Sequence, residues 1–304
     1  MKKLTLCVLA IVLITLTALS GCTQEKKTLK IGILPIEDSL PIVVADEEKI
    51  FEKYGLDVEV VTFQSALERD SAFTSASIDG MITDPLDVIL LKNSGVDVKI
   101  VSLCLGKTPS EGVFAVLASP NSQIEKPEDL AGKQVAISKN TIIEFVTDMM
   151  LRDIPIEKIE IKKIPLRMQA LLDNKVDAAV LPEPLASFAE SKGAKRTISD
   201  ADFDKSISQT VIVMKGDVDT DTVKRFLKAY DEAVEQINSN PSKYRSKFIE
   251  IARVPQDIAE KYNMPLYPKS QKFPKEFYDR YLEWAMEKGL AKEVPYENVV
   301  EWVD

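Results

Sequence analysis

The chain has 304 residues, 45% hydrophobic and 29% charged, with 39 Lys and Arg against 48 Asp and Glu, a net charge of −9, three cysteines and no histidine. An acidic body argues against nucleic acid, which selects basic patches. The absence of histidine removes the commonest metal ligand and neutral-pH general base, and with them serine–histidine catalysis, cysteine–histidine catalysis and imidazole capture of zinc.

Met1-Lys2-Lys3 is a short basic start, followed by an apolar run from Leu4 to Ala18 broken only by Thr5, Thr15 and Thr17. A run of about 15 residues falls short of the roughly 20 a bilayer requires, so it reads as a secretory signal over residues 1–21. The small residues of Leu19-Ser20-Gly21-Cys22 resemble the lipobox of bacterial lipoproteins. That resemblance implies thioether lipidation of Cys22, cleavage before it and acylation of the new amino terminus, which together anchor stably where one chain would not. An ordinary signal, or an uncleaved anchor that happens to carry a cysteine, is the alternative. Without residues 1–21 the chain has 283 residues and, having lost Lys2 and Lys3, a charge of −11. That length suits two domains of ordinary size. Residues 22–27 form the lipid-anchored tether. Cys7 leaves with the signal and Cys22 takes lipid, so Cys104 has no partner for an internal disulfide and reads as a small buried apolar residue.

From Thr28 onward, β-branched runs alternate with amphipathic stretches. Strands are predicted at Leu29–Leu34, Asp57–Phe63, Asp79–Thr83 and Val98–Leu103. Helices are predicted between them at Leu40–Tyr54 (closed by Gly55), Ala66–Ala76 and Pro85–Asn93. The pattern then restarts. Strands are expected at Gly112–Ala118, Gln134–Ser138, Lys158–Ile164, Asp177–Leu181 and Thr210–Met214. Helices are expected at 126–133, Thr141–Arg152, Leu166–Asn174 and Pro184–Lys192. Residues 220–238, 241–253 and 274–288 read as helical, and 261–272, with Pro265 and Pro268, as an irregular connection. Strands separated by helices imply right-handed crossovers and parallel pairing. The expected class is α/β, with two lobes of mostly parallel sheet flanked by helices. The C-terminal helices return to the first lobe. Lobe 1 takes residues 28–107 and 212–304, lobe 2 takes 108–211, and crossings near 104–112 and 206–210 form the hinge. No residue-level repeat is visible.

Several segments then carry a family resemblance. They are Lys30-Ile31-Gly32-Ile33-Leu34-Pro35, the run from Ala45 to Glu59, Ile78-Asp79-Gly80, the run from Glu128 to Lys133, and Leu181-Pro182-Glu183-Pro184. Together they resemble the nitrate/sulfonate/taurine and thiamine-precursor group of ABC-transporter solute-binding proteins. The resemblance implies a type II periplasmic-binding-protein fold that closes on a small-molecule ligand and docks on a permease and its ATPase. It also implies a place on the extracytoplasmic face of the cell membrane. No cofactor, metal or nucleic acid enters this expectation, and the receptor is expected to be a monomer. Thiamine-pyrimidine synthases of the superfamily use histidine and a cysteine cluster, and menaquinone-pathway enzymes of this fold lack a lipobox, so no enzyme is expected.

In open α/β sheets, ligands bind beyond the carboxyl ends of the strands, where helix N-termini offer free N–H groups. That rule selects Glu37, Asp38, Ser39, Gln64, Ser65 and Asp84 in the first lobe, and Ser138, Asn140, Thr141, Arg167 and Glu183 in the second. Asp38, Ser39, Ser65 and Asp84 also stand where helix caps belong. Asn140 and Thr141 open a helix, Arg167 has acids to pair with, and Glu183 fits a solvated first turn. Glu37, Asp38, Asp84, Glu111, Glu144 and Glu183 outnumber Lys139 and Arg167 in these loops. An anion beside unpaired carboxylates is costly to bury. The balance therefore leans toward a neutral or partly cationic ligand such as a thiamine-pyrimidine or related amino-heterocycle. The alternatives are an aliphatic sulfonate, taurine or nitrate, or a sensor lipoprotein that feeds no permease.

Overall fold

A computed structural model describes residues 28–303; the signal, Cys22 and the rest of the tether lie outside them. Ten strands form two five-stranded sheets. In the first, β1 (Leu29–Ile33) pairs in parallel with β2 (Val58–Thr62) and β3 (Gly80–Thr83). β10 (Thr210–Lys215) runs antiparallel between β3 and β4 (Val98–Leu105). The second sheet repeats this plan. β6 (Gln134–Ile137) pairs in parallel with β7 (Glu157–Glu160) and β8 (Ala178–Pro182), and β5 (Phe114–Ala118) runs antiparallel between β8 and β9 (Lys195–Ser199).

Helices cover both sheets. After β1 come α1 (Leu40–Glu47) and α2 (Ile50–Lys53); α3 (Ala66–Thr74) and α4 (Pro85–Asn93) follow β2 and β3. In the second half, α5 (Ile142–Met150), α6 (Ile164–Leu172) and α7 (Leu185–Ser191) follow β6, β7 and β8. The C-terminal part is α8 (Thr220–Ser239), α9 (Pro241–Ile251) and α10 (Lys275–Glu287). No helix among the described residues is long and apolar enough to cross a membrane.

Two elements differ from expectation, for identifiable reasons. The single helix expected over 40–54 breaks at Lys49, which is left-handed at φ 58°. Asp46, Glu47 and Glu48 crowd the carboxyl end of α1, where the helix dipole disfavours negative charge, and burial followed by Glu47 and Glu52 raises the Asp46 pKa. Strand β9 went unpredicted because Lys195-Arg196-Thr197 offers little apolar signal; basic residues are the usual protection of a sheet edge.

The chain passes between the sheets twice, through 106–113 and 200–209. The two passages touch. Gly106, at φ +89°, lies so close to Ser208 that a Cβ would meet the Ser208 carbonyl oxygen at 2.1 Å, so only glycine fits. Gln209 Nε2 donates to the Gly106 carbonyl at 3.3 Å, and Ser208 Oγ to that of Gly112 at 3.1 Å. Glu111 closes the first passage by accepting from the Gly106 and Lys107 amides at 3.0 and 2.9 Å.

The sheets also meet through α10. It packs on α4 beneath the first sheet, while Tyr281 and Trp284 reach Phe145 on α5 of the second, with ring centroids 4.2 and 5.7 Å away. Trp284 Nε1 donates to Asp148 at 3.0 Å, and Lys158 and Lys288 both pair with Glu144 and Asp148. One buried apolar cluster therefore runs from one sheet to the other.

Candidate functional site

A cavity of about 660 Å³ opens between the two sheets. Four parts of the chain build it. The loop after β1 gives Glu37. The first passage gives Ser110, Gly112 and Val113. The second half of the fold gives Glu183, Ser187, Arg196 and Ala201. The remainder, from Ile258 to Leu266, comes from the irregular segment between α9 and α10.

Glu37 and Glu183 are the polar centre of this wall. Glu37 is buried at 8% exposure and accepts a hydrogen bond from the Tyr262 hydroxyl. Burial raises its pKa to about 7; the Tyr262 bond works the other way, and the charges of Glu183 and Asp38 add to the rise. Tyr267 donates to the Glu37 carbonyl at 2.8 Å and so fixes the backbone beneath it. Glu183 leaves β8 between Pro182 and a cis Pro184. It accepts from the Ser187 amide at 3.0 Å and pairs with Arg196 at 2.6 Å. Arg196 also holds Glu190 at 2.6 Å. Burial works against the Arg196 charge, but Glu190 and Glu183 outweigh it and keep the guanidinium ionised.

The other expected residues are placed differently. Asp38 and Ser39 are buried behind Glu37, where Ser39 Oγ donates to the Leu34 carbonyl at 2.7 Å. Burial raises Asp38 to about 6, against Ser39, Thr210 and Arg69. Gln64 accepts from Arg253 at 2.9 Å, and Ser65 caps α3 through the Glu68 amide at 3.3 Å. Asp84 caps α4 through the Asp87 amide at 2.9 Å, and burial, then the Asp87 charge, lifts it to about 7. Thr141 caps α5, its hydroxyl donating to the Ser138 carbonyl at 2.8 Å, and the Asn140 amide donates to Glu144 at 2.7 Å. Arg167 is fully buried, donating to the carbonyls of Val180 and Ile161 at 2.8 Å each, with one Nη unpartnered. Burial alone lowers it to about 10. Glu37 and Glu183 line the cavity; none of these others does.

The acidic bias expected of the cleft is thereby narrowed. Glu144 is spent on Lys158 and Lys288, and Glu111 on its own turn. Arg196 and Lys261, which sequence reasoning did not weigh, enter the wall. Tyr262 was missed as well; the signal for it was an aromatic residue inside a polar, proline-bounded connection.

The model of the family described as NlpA lipoprotein matches residues 29–252, about three quarters of the chain. The chain belongs to the NlpA lipoprotein family. Among its relatives, the D-methionine-binding lipoprotein MetQ of Salmonella typhi is 26% identical over 248 residues, covering 73% of this chain and 89% of that one. In fold it is similar to the periplasmic aliphatic sulphonate-binding protein SsuA of Escherichia coli, with TM-score 0.76, 18% identity, and 91% and 93% of the two chains covered. The alkanesulfonate-binding SsuA of Xanthomonas axonopodis, solved with MOPS, gives TM-score 0.74 at 15% identity over 90% and 98%. The structural neighbours give a periplasmic-binding-protein fold, and the family match with its relatives supports the role of a solute-binding protein of an ABC importer.

Proposed function

We propose that the solute is a small organic molecule carrying an amino group, a thiamine-pyrimidine or related amino-heterocycle, held between Glu37 and Glu183. The observation that carries this is the pair of carboxylates from opposite sheets facing one cavity, one of them buried and oriented by Tyr262. A ligand amine or amidine answers both, and a charge-assisted hydrogen bond is about twice as strong as a neutral one. Ligand bridging the two sheets favours the closed arrangement by its extra affinity for it. In this reading residues 28–107 with 212–304, and 108–211, are the lobes that move. The receptor works as a monomer and sits outside the membrane on lipid attached to Cys22.

A specific observation favours a second reading, an aliphatic sulfonate, taurine or nitrate. Arg196 and Lys261 also line the cavity, and two structural neighbours bind sulfonates by their descriptions. Titration calorimetry on the full chain in detergent separates the two, using aminopyrimidines in one set and sulfonates and nitrate in the other. Micromolar binding of the first set with none of the second supports the amine reading, and the reverse overturns it. Stimulation of a transporter ATPase by the loaded protein separates an importer receptor from a sensor.

A further inference from the structure

The family match ends at residue 252, yet seven of the fifteen residues lining the cavity lie beyond it, between Ile258 and Leu266. This strap has no regular secondary structure, but it is fastened at several points. Tyr262 stacks on Phe248 of α9 with centroids 6.0 Å apart and planes 6° from parallel. Arg245 holds the Ala259 carbonyl at 2.6 Å. Asn238 of α8 makes a reciprocal pair with the Tyr267 backbone at 2.7 and 3.1 Å. Ser270 is held by Asp231 at 2.6 and 2.8 Å.

Side chains hold a site only where packing and supporting hydrogen bonds lock them, and these fastenings do that for the strap. The strap puts two chemistries on the cavity. Tyr262 donates to Glu37 and leaves the second carboxylate oxygen for a ligand donor. Ile258, Met264 and Leu266 form an apolar flank, and Leu266 is 71% exposed although it borders the cavity.

We infer that the strap over 258–266, rather than the frame shared with the family, selects the solute. It does so with Tyr262 positioning Glu37 for an amine donor and with Ile258, Met264 and Leu266 taking an apolar body. The solute class is thus an amine or amidine on an apolar skeleton. This rests on the amine reading above and adds what sets the preference within it.

The test is calorimetry on the full chain in detergent, with two probes: an aminopyrimidine carrying alkyl substituents and its unsubstituted parent. Met264→Ala with Leu266→Ala should weaken the alkylated probe about tenfold and leave the parent within twofold, since each buried methylene contributes about 0.8 kcal/mol. Tyr262→Phe should weaken both probes about tenfold and move the pH profile of binding upward. Glu37 is faced by Tyr262 of the strap, by Tyr267 just beyond it, by Asp38 beside it and by Glu183, and Arg196 and Lys261 line the same cavity. Of the groups bonded to its carboxylate, Tyr262 is the donor removed. A purely structural tyrosine would lower affinity without moving the profile. Unchanged discrimination in the double variant, or an unmoved profile in Tyr262→Phe, overturns the inference. If the wild-type protein binds neither probe, the amine reading itself has failed.

Discussion

Tyr281→Phe isolates one hydroxyl at the place where the two sheets are joined. The Tyr281 hydroxyl donates to the Ile207 carbonyl at 3.0 Å and accepts from the Gln209 amide at 3.0 Å, both in the second passage between the sheets. Phenylalanine keeps the ring and its 4.2 Å stack on Phe145, so no cavity term arises. What remains is a buried N–H and a buried C=O without partners, each costing about 1–3 kcal/mol. The sum is about 2–6 kcal/mol. For a chain of this size each kcal/mol moves the midpoint by roughly 2–4 °C, so calorimetric melting should fall by about 4–24 °C. Tyr54→Phe is the control. Its hydroxyl meets Glu232 at 3.0 Å in a partly exposed setting, where loss should stay within about 0.5 kcal/mol. A midpoint for Tyr281→Phe no lower than that of the control would show that the passage does not depend on this hydroxyl, and the account of the hinge would fall.

Three further outcomes follow from the charges. Arg69→Met should cost about 3–5 kcal/mol, because Asp70 at 2.7 Å and Asp87 at 3.3 Å lose their buried cation; Arg167→Met should cost clearly less, since it strands two carbonyls and no carboxylate, and denaturant melts give the order. Unliganded protein should melt higher at pH 5.5 than at pH 8. Burial raises Glu37, Asp84 and Asp200 to about 7 and Asp38 to about 6, so the folded state holds more protons than the unfolded one from about pH 4 to about pH 7, and stability falls as pH climbs through that window. Glu144 and Asp148 run the other way: burial opposes their charge, but Lys158 leads the groups that hold both low, and their contribution is lost only as pH falls below about 4. Glu183→Gln should weaken amine ligands about tenfold in calorimetry and strengthen sulfonates, because Arg196 keeps its charge and loses one of its two carboxylates.

The parallel alternation was legible because each strand from β1 to β4 is an apolar run set off by helical spacing, and residues 85–93 are predicted and found with the same ends. Edge strand β9 was not, since a strand protected by Lys195 and Arg196 carries no hydrophobic period. The rule that ligands sit past strand ends picked out Glu37 and Glu183. The same rule cannot tell a cavity-facing acid from a cap, because Asp84 and Ser65 satisfy helix N-termini at the same kind of position. Tyr262 and Arg196 reach the cavity by tertiary packing from segments far along the chain, and no local pattern announces that.

The two halves do repeat at the level of residues, in a form the sequence hides. Arg69 donates to the carbonyl 13 positions ahead in β3, and Arg167 to the carbonyl 13 positions ahead in β8. Asp79 and Asp177, each ten residues after its arginine, accept from the corresponding strands β1 and β6, through the amides of Lys30 and Gln134 at 2.9 Å. Asp84-Pro85 then answers Glu183-Pro184. Divergence lies in what surrounds this frame. Asp70, Thr83 and Asp87, which satisfy Arg69, are matched by Met168, Leu181 and Ala186. Arg167 therefore stays charged among apolar neighbours. The acid before the proline diverges as well. Asp84 stays inside as the cap of α4. Pro182 adds one residue to the second turn, and the longer Glu183 bonds the Ser187 amide with one oxygen and Arg196 with the other at the cavity wall. One extra residue and one extra methylene thus separate Asp84, a structural carboxylate, from Glu183, which stands at the cavity wall.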